Sequence, residues 1–114
     1  MPETGRSWTL EFEATPAQAP SVRQWVALRL KHPDAPQVAN ELFVSVLAAG
    51  SPKVEMTLST AGDRNRITAV GSIPMSVLHS HGPGFTIVSG LTTLYGLNTD
   101  GCGVWAQLTT EGKT

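Results

Sequence analysis

Few side chains in this sequence are of a type and spacing that could do chemistry, and they lie far apart. His79-Ser80-His81 puts two imidazoles on one side of an extended segment, which supplies half of a zinc site. No third ligand follows close by, and the segment reads more simply as a solvated loop. His32, just before Pro33, reads as a basic residue near a helix C-terminus, where the helix dipole favours it. Cys102 stands between two glycines with no His, Lys or Arg beside it, so it reads as an ordinary thiol rather than a nucleophile. Gly82-Pro83-Gly84 precedes a helical pattern, and backbone amides at a helix N-terminus can cradle an anion.

The elements that must position these residues follow from the apolar pattern. Residues 7–13 alternate, with Trp8, Leu10 and Phe12 on one face and Thr9, Glu11 and Glu13 on the other, which predicts a strand. Thr15-Pro16-Ala17-Gln18 reads as a capping box, and Pro20 moves the start of the regular helix toward itself. Val22, Trp25, Val26 and Leu30 then keep helical spacing, with Arg23, Gln24 and Arg29 on the wet side. This first helix should end before His32-Pro33. Asp34 with Gln37 repeats the cap pattern and opens a second helix, in which 38–49 (VANELFVSVLAA) is apolar on nearly every side and should be buried all round. Gly50 is its C′ residue, and Pro52 prevents continuation. Val54, Met56 and Leu58 alternate with Lys53, Glu55 and Thr57, residues 61–65 form a turn, and 66–70 make the return strand. Residues 71–84 are irregular. Phe85, Val88, Leu91, Thr92 and Tyr95 predict a third helix capped by Gly96. Residues 103–110 predict a closing strand with Val104, Ala106 and Leu108 on one face and Trp105 on the other, followed by a polar tail.

This order predicts an α+β protein, a two-layer α/β sandwich with about four to five strands and three helices on one face. With 114 residues, 40% of them hydrophobic and 15% charged, one domain over 1–114 is expected to carry one core. The single cysteine excludes an internal disulfide and suits a reducing compartment. Eight Lys and Arg against nine Asp and Glu argue against a nucleic-acid partner held by broad phosphate neutralisation. No apolar run approaches the ~18–20 residues of a membrane span, and MPETGRSW carries no apolar signal core, so the expectation is a cytoplasmic protein without a membrane partner.

Four stretches taken in order resemble the GHKL (histidine-kinase-like) ATPase family, above all its short stand-alone anti-sigma-factor serine kinases. Residues 14–30 (ATPAQAPSVRQWVALRL) look like the family's first strand exit and first helix. Residues 39–50 (ANELFVSVLAAG) are similar to its asparagine-box helix, 82–97 (GPGFTIVSGLTTLYGL) to its second glycine box, and 101–108 (GCGVWAQL) to its closing strand. The resemblance implies a Bergerat-type sandwich and a nucleotide site. It makes Glu41 the base that would activate the attacking group, and places Ser45 and Ala49 below it on the same helix face. Ser45 stands where the family has its magnesium-holding asparagine, and a serine hydroxyl is a shorter oxygen ligand. Gly71 stands where an aspartate should read the adenine, and Cys102 and Gly103 replace a Lys-Thr pair. The glycines Gly82 and Gly84, with Phe85 behind them, remain of the phosphate-binding turn.

Phosphoryl transfer rests on positioned charge and metal, and losing one such contact typically costs ~10²–10³ in rate. The resemblance therefore implies a degraded nucleotide site, vestigial at Ser45, Ala49, Gly71, Gly82, Gly84, Phe85 and Gly103, in a regulator of the anti-sigma or partner-switching kind. No cofactor is expected. The implied partner is a protein (a sigma factor, an anti-anti-sigma factor or another regulator), with a second copy of the chain as a further candidate. Trp8, Arg23, Arg29 and Trp105 are the expected partner surface. Ile73, Met75, Val77 and Leu78 are expected to fold into the emptied pocket. The alternative is an active serine/threonine kinase using ATP and magnesium, with Glu41 as base and Ser45 as metal ligand.

Overall fold

Edge strand β1 (Arg6–Glu13) starts the described part of the chain, which covers residues 5–75 and 84–109 of a computed structural model. A short 3₁₀ turn (Pro16–Gln18) leads into α1 (Ala19–Arg29), and α2 (Ala35–Ala48) follows after a bend. The hairpin strands β2 (Lys53–Ala61) and β3 (Arg64–Val70) come next, then α3 (Gly84–Leu91), β4 (Leu94–Leu97) and β5 (Gly103–Thr109). The five strands form one sheet in the order β1-β2-β3-β5-β4, and every pairing is antiparallel. The α+β class is thus established, with a five-stranded antiparallel sheet and three α-helices among the described residues.

Strand parity decides which residues make the core. Register puts Trp8, Leu10, Phe12, Val54, Met56, Leu58, Ile67, Ala69, Val104, Ala106 and Leu108 on one face, and of these all but Trp8 and Leu10 are buried there. The helices cover this face. Val22, Val26 and Leu30 form the buried stripe of α1, and Ala35, Val38, Ala39, Leu42, Phe43 and Val46 that of α2. Phe12 joins three elements, meeting Trp25 of α1 edge-on at 5.7 Å and Phe43 of α2 at 6.2 Å. Val88 of α3 closes the layer.

Four local expectations need correction. Neither Thr15 nor Asp34 makes a side-chain cap bond; the Asp34 amide instead donates to His32 Nδ1 at 3.0 Å, so His32 organises the α1–α2 bend. The hairpin turn is tighter than expected, because Ala61 and Arg64 still pair and only Gly62 (φ 63°) and Asp63 make the turn. Helix α2 is not buried all round: Val44 is 40% exposed on its outer side. The third helix stops at Leu91, and Tyr95, Gly96 and Leu97 belong to β4. Two bonds divert the chain there, since the Thr93 amide and hydroxyl both donate to the Gln107 carbonyl, at 2.9 and 3.0 Å. Gly96 also leaves room for the Trp105 ring, which a Cβ would approach to 3.1 Å.

Phe43→Ala should therefore cost about 3–5 kcal/mol of unfolding free energy by urea titration, whereas Val44→Ala, one residue on, should cost less than about 0.5 kcal/mol. Equal effects of the two would contradict this packing.

Candidate functional site

Of the residues singled out by the sequence, Gly71, Met75, Cys102 and Gly103 come together where the end of α2 meets the end of β3. Helix α2 stops because Gly50 turns the chain at φ 102°, and the next residue, Ser51, is buried at 3% exposure. Its Oγ accepts hydrogen bonds from the Ser72 and Ile73 amides at 3.0 and 3.2 Å, which ties the exit of β3 to the exit of α2. Gly71 lies directly against this hydroxyl. A Cβ at Gly71 would stand 2.1 Å from Ser51 Oγ and 2.7 Å from both Ser51 Cβ and Val46 Cγ1. The volume that any side chain at position 71 would need is already occupied by Ser51 and Val46.

The β4–β5 loop completes the corner. The Gly71 amide donates to the Cys102 carbonyl at 2.9 Å and the Met75 amide to the Gly101 carbonyl at 2.8 Å. Asp100 holds the loop by accepting from the Cys102 amide at 2.9 Å. Cys102 is a half-buried free thiol whose backbone does the work. Gly103 is required by close strand packing, because its Cβ would come within 2.5 Å of the Ala69 carbonyl oxygen. Met75 is buried in this corner while Ile73 is exposed, so of the four residues expected to fill the pocket one packs inward and one faces out. Val77 and Leu78 lie outside the described residues, as do His79, His81 and Gly82; Gly84 opens α3, and the side chain of Phe85 is likewise not described.

Glu41 and Ser45 share the rim of α2, both half-buried. Glu41 Oε2 accepts from Gln37 Nε2 at 2.8 Å and from Asn40 Nδ2 at 3.3 Å. Ser45 donates its hydroxyl to the Glu41 carbonyl at 2.9 Å, the local back-bond that serines make inside helices. Ala49, below them, brings no polar group. Among the described residues no three His, Cys, Asp or Glu side chains gather to hold a metal ion. These residues do not fit the magnesium–nucleotide group that the resemblance implies: the Glu41 carboxylate is engaged by amides, the Ser45 hydroxyl is turned into its own helix, and position 71 has no room for a side chain.

The expected partner residues do not form one surface. Trp8 pairs with Leu58 on the helix-covered face and packs on the core rim. On α1, Arg23 donates to Asn40 Oδ1 at 2.8 Å and Arg29 lies over the Trp25 ring at 5.6 Å. Trp105 sits on the opposite face of the sheet, which no described helix covers. There the Arg66 guanidinium stacks 4.0 Å from the centre of its ring, a cation–π contact worth about 0.5–1 kcal/mol at an exposed site. Register lines up Thr9, Thr57 and Thr68 beside Trp105, with Glu11 and Glu55 toward one end and Arg66 and Arg64 toward the other. The Thr9 and Thr57 hydroxyls bond at 3.1 Å.

Sequence reasoning missed Ser51, Arg64 and Arg66. The arginines carried a usable signal, since parity along β3 sets Arg64, Arg66 and Thr68 opposite Ile67 and Ala69. Ser51 carried none, because its partners are 21 and 22 residues away. No protein-family model matches the chain, and no curated protein matches it in sequence. Among the described residues no helix is long and apolar enough to cross a membrane.

Gly71→Ala should lower unfolding free energy by about 1–3 kcal/mol through overpacking, and Ser51→Ala by about 1–2 kcal/mol through two lost bonds, both read from urea denaturation. A Gly71→Ala protein as stable as the parent would mean that the corner has room to spare.

Proposed function

We propose that this chain is a histidine-kinase-like scaffold that regulates by contact with another protein, in the manner of an anti-sigma or partner-switching factor, and that it transfers no phosphate. The order of strands and helices, the layer of helices on one sheet face and the carboxylate of Glu41 on α2 support the kinship with the GHKL sandwich. The observation that carries the loss of chemistry is the contact between Gly71 and Ser51. An acceptor matched to a base edge discriminates because a wrong partner leaves buried polar groups unpaired. Here the position of that acceptor has no side chain, and the space in front of it is filled from α2.

What remains of the inherited site is structural. Glu41 orients Gln37 and Asn40, and through Asn40 it is linked to Arg23 of α1. Gly103 permits close strand contact, and Ser51 replaces a ligand as the acceptor for two backbone amides. The partner in this reading is a protein, a sigma factor or its antagonist among the candidates, and neither a nucleic acid nor a membrane. With no nucleotide to bind, the open sheet face and the outer side of α1 are the surfaces left for recognition.

Thermal unfolding with ATP, ADP and GTP, each with and without magnesium, tests the proposal. The melting temperature should not move, whereas a bound nucleotide at 100 times its Kd would add ~2.7 kcal/mol. A saturable magnesium-ATP shift, with phosphate transfer to a partner that disappears in Glu41→Ala, would overturn it in favour of a serine/threonine kinase.

A further inference from the structure

The open sheet face ends in a shallow depression of about 170 Å³ lined by Ser59, Thr60, Ala61, Arg64, Arg66 and Gln107. Two guanidinium groups border it. Among the described residues neither arginine makes an ion pair, although the same face carries carboxylates at Glu11 and Glu55. The arrangement keeps them apart: Glu11 pairs across to Glu55 at one end of the strands, and the arginines stand at the other. Glu11 lies near Lys53 instead, at 3.8 Å. Arg66 is held in place by its stack on Trp105, and Trp105 is in turn seated over Gly96. A planar guanidinium fixed in this way presents its remaining N–H groups at little further entropic cost, the condition under which arginine grips a carboxylate by two parallel bonds.

We infer that this depression is the anchor site for an acidic segment of the protein partner, with one aspartate or glutamate carboxylate seated between Arg64 and Arg66 and Gln107 and Ser59 at its sides. The inference rests on the contact reading above and names the chemistry of the partner. Size favours a side chain over a free ligand, because ~170 Å³ is well below the ~300–1,000 Å³ of small-molecule pockets. A single carboxylate delivered here gains the rest of its affinity from the neighbouring threonine stripe and Trp105. A nucleic acid fits worse, because the Trp105 ring is engaged by the strand beneath it and by Arg66, which leaves no free stacking platform.

The experiment uses the full ¹⁵N-labelled chain and the blocked peptide acetyl-(Glu)₄-amide, followed by the indole N–H of Trp105 and the amides of Ser59 and Gln107. Saturable shifts at these positions are expected, weakening at least tenfold in the double variant Arg64→Gln/Arg66→Gln and declining as salt is raised. Acetyl-(Gln)₄-amide should leave the signals unmoved, and inorganic phosphate should bind at least tenfold more weakly than the acidic peptide. Arg64→Lys/Arg66→Lys keeps the charge without the fork and should fall between the parent and the glutamine variant. Absent shifts, shifts unchanged in the glutamine variant, or phosphate binding as tightly as the peptide would each overturn the inference. Should a variant fail to fold, the salt series and the phosphate comparison on the parent chain still decide. Failure here with an unmoved melting temperature in nucleotide would remove this surface and leave the contact reading standing; a nucleotide shift would remove the contact reading itself.

Discussion

Everything in this fold is arranged around the need to bury α2. Six of its fourteen residues (Ala35, Val38, Ala39, Leu42, Phe43 and Val46) are withdrawn from water. Each large apolar side chain among them contributes about 1.5–3 kcal/mol when covered. A single neighbour cannot cover such a helix. It is flanked by α1 on one side and α3 on the other and lies on β2, β3 and β5, so its position decides which sheet face becomes the interior. Phe12 then fixes β1 against both long helices, and the sheet is left with one dry face and one wet face.

The same constraint explains the state of the candidate site. A polar stripe on α2 can survive only at the rim of the buried face, where Glu41 and Ser45 stand. The helix ends in a tight turn at Gly50, which directs Ser51 straight back under the exit of β3. Once the Ser51 hydroxyl serves the amides of Ser72 and Ile73, a side chain at position 71 and the serine would compete for one volume. The glycine at position 71 and the filled corner are therefore two aspects of one packing solution. Helix exit and strand exit are held this closely by direct bonds alone.

Much of this was legible in the sequence, for reasons that separate into local and distant. The alternation of Trp8, Leu10 and Phe12, and of Val54, Met56 and Leu58, is imposed by strand geometry and sorts the two faces correctly. The stripe Val22, Val26 and Leu30 did the same for α1, and Gly50 marked the end of α2. Beyond the local pattern the reading faltered where a distant partner wins. Thr93 looks like part of a helix until Gln107 is present to accept both of its donors, and only then does β4 exist. Asp34 looks like a cap until His32 takes its amide. Ser51 looks like a linker residue, because the amides it accepts from are more than twenty positions away. The expected grouping of Trp8 with Trp105 ran against parity across the sheet: the register from Leu58 through Ile67 to Ala106 puts the two indoles on opposite faces.

That division of faces bears on how such a protein could recognise anything. The dry face is consumed by packing, and at its margin Arg23, Asn40, Gln37 and Glu41 satisfy one another. On the wet face Glu11 and Glu55 lie toward one end of the strands, with Lys53 beside Glu11, while Arg64 and Arg66 lie toward the other and make no ion pair among the described residues. Charges of opposite sign held apart on a rigid sheet keep their capacity for a partner, whereas the same charges in contact would have spent most of it on each other. A surface of this kind selects by complementarity of charge and shape and needs no bound cofactor to do so. On physical grounds, then, the open face of the sheet is the side best prepared for contact.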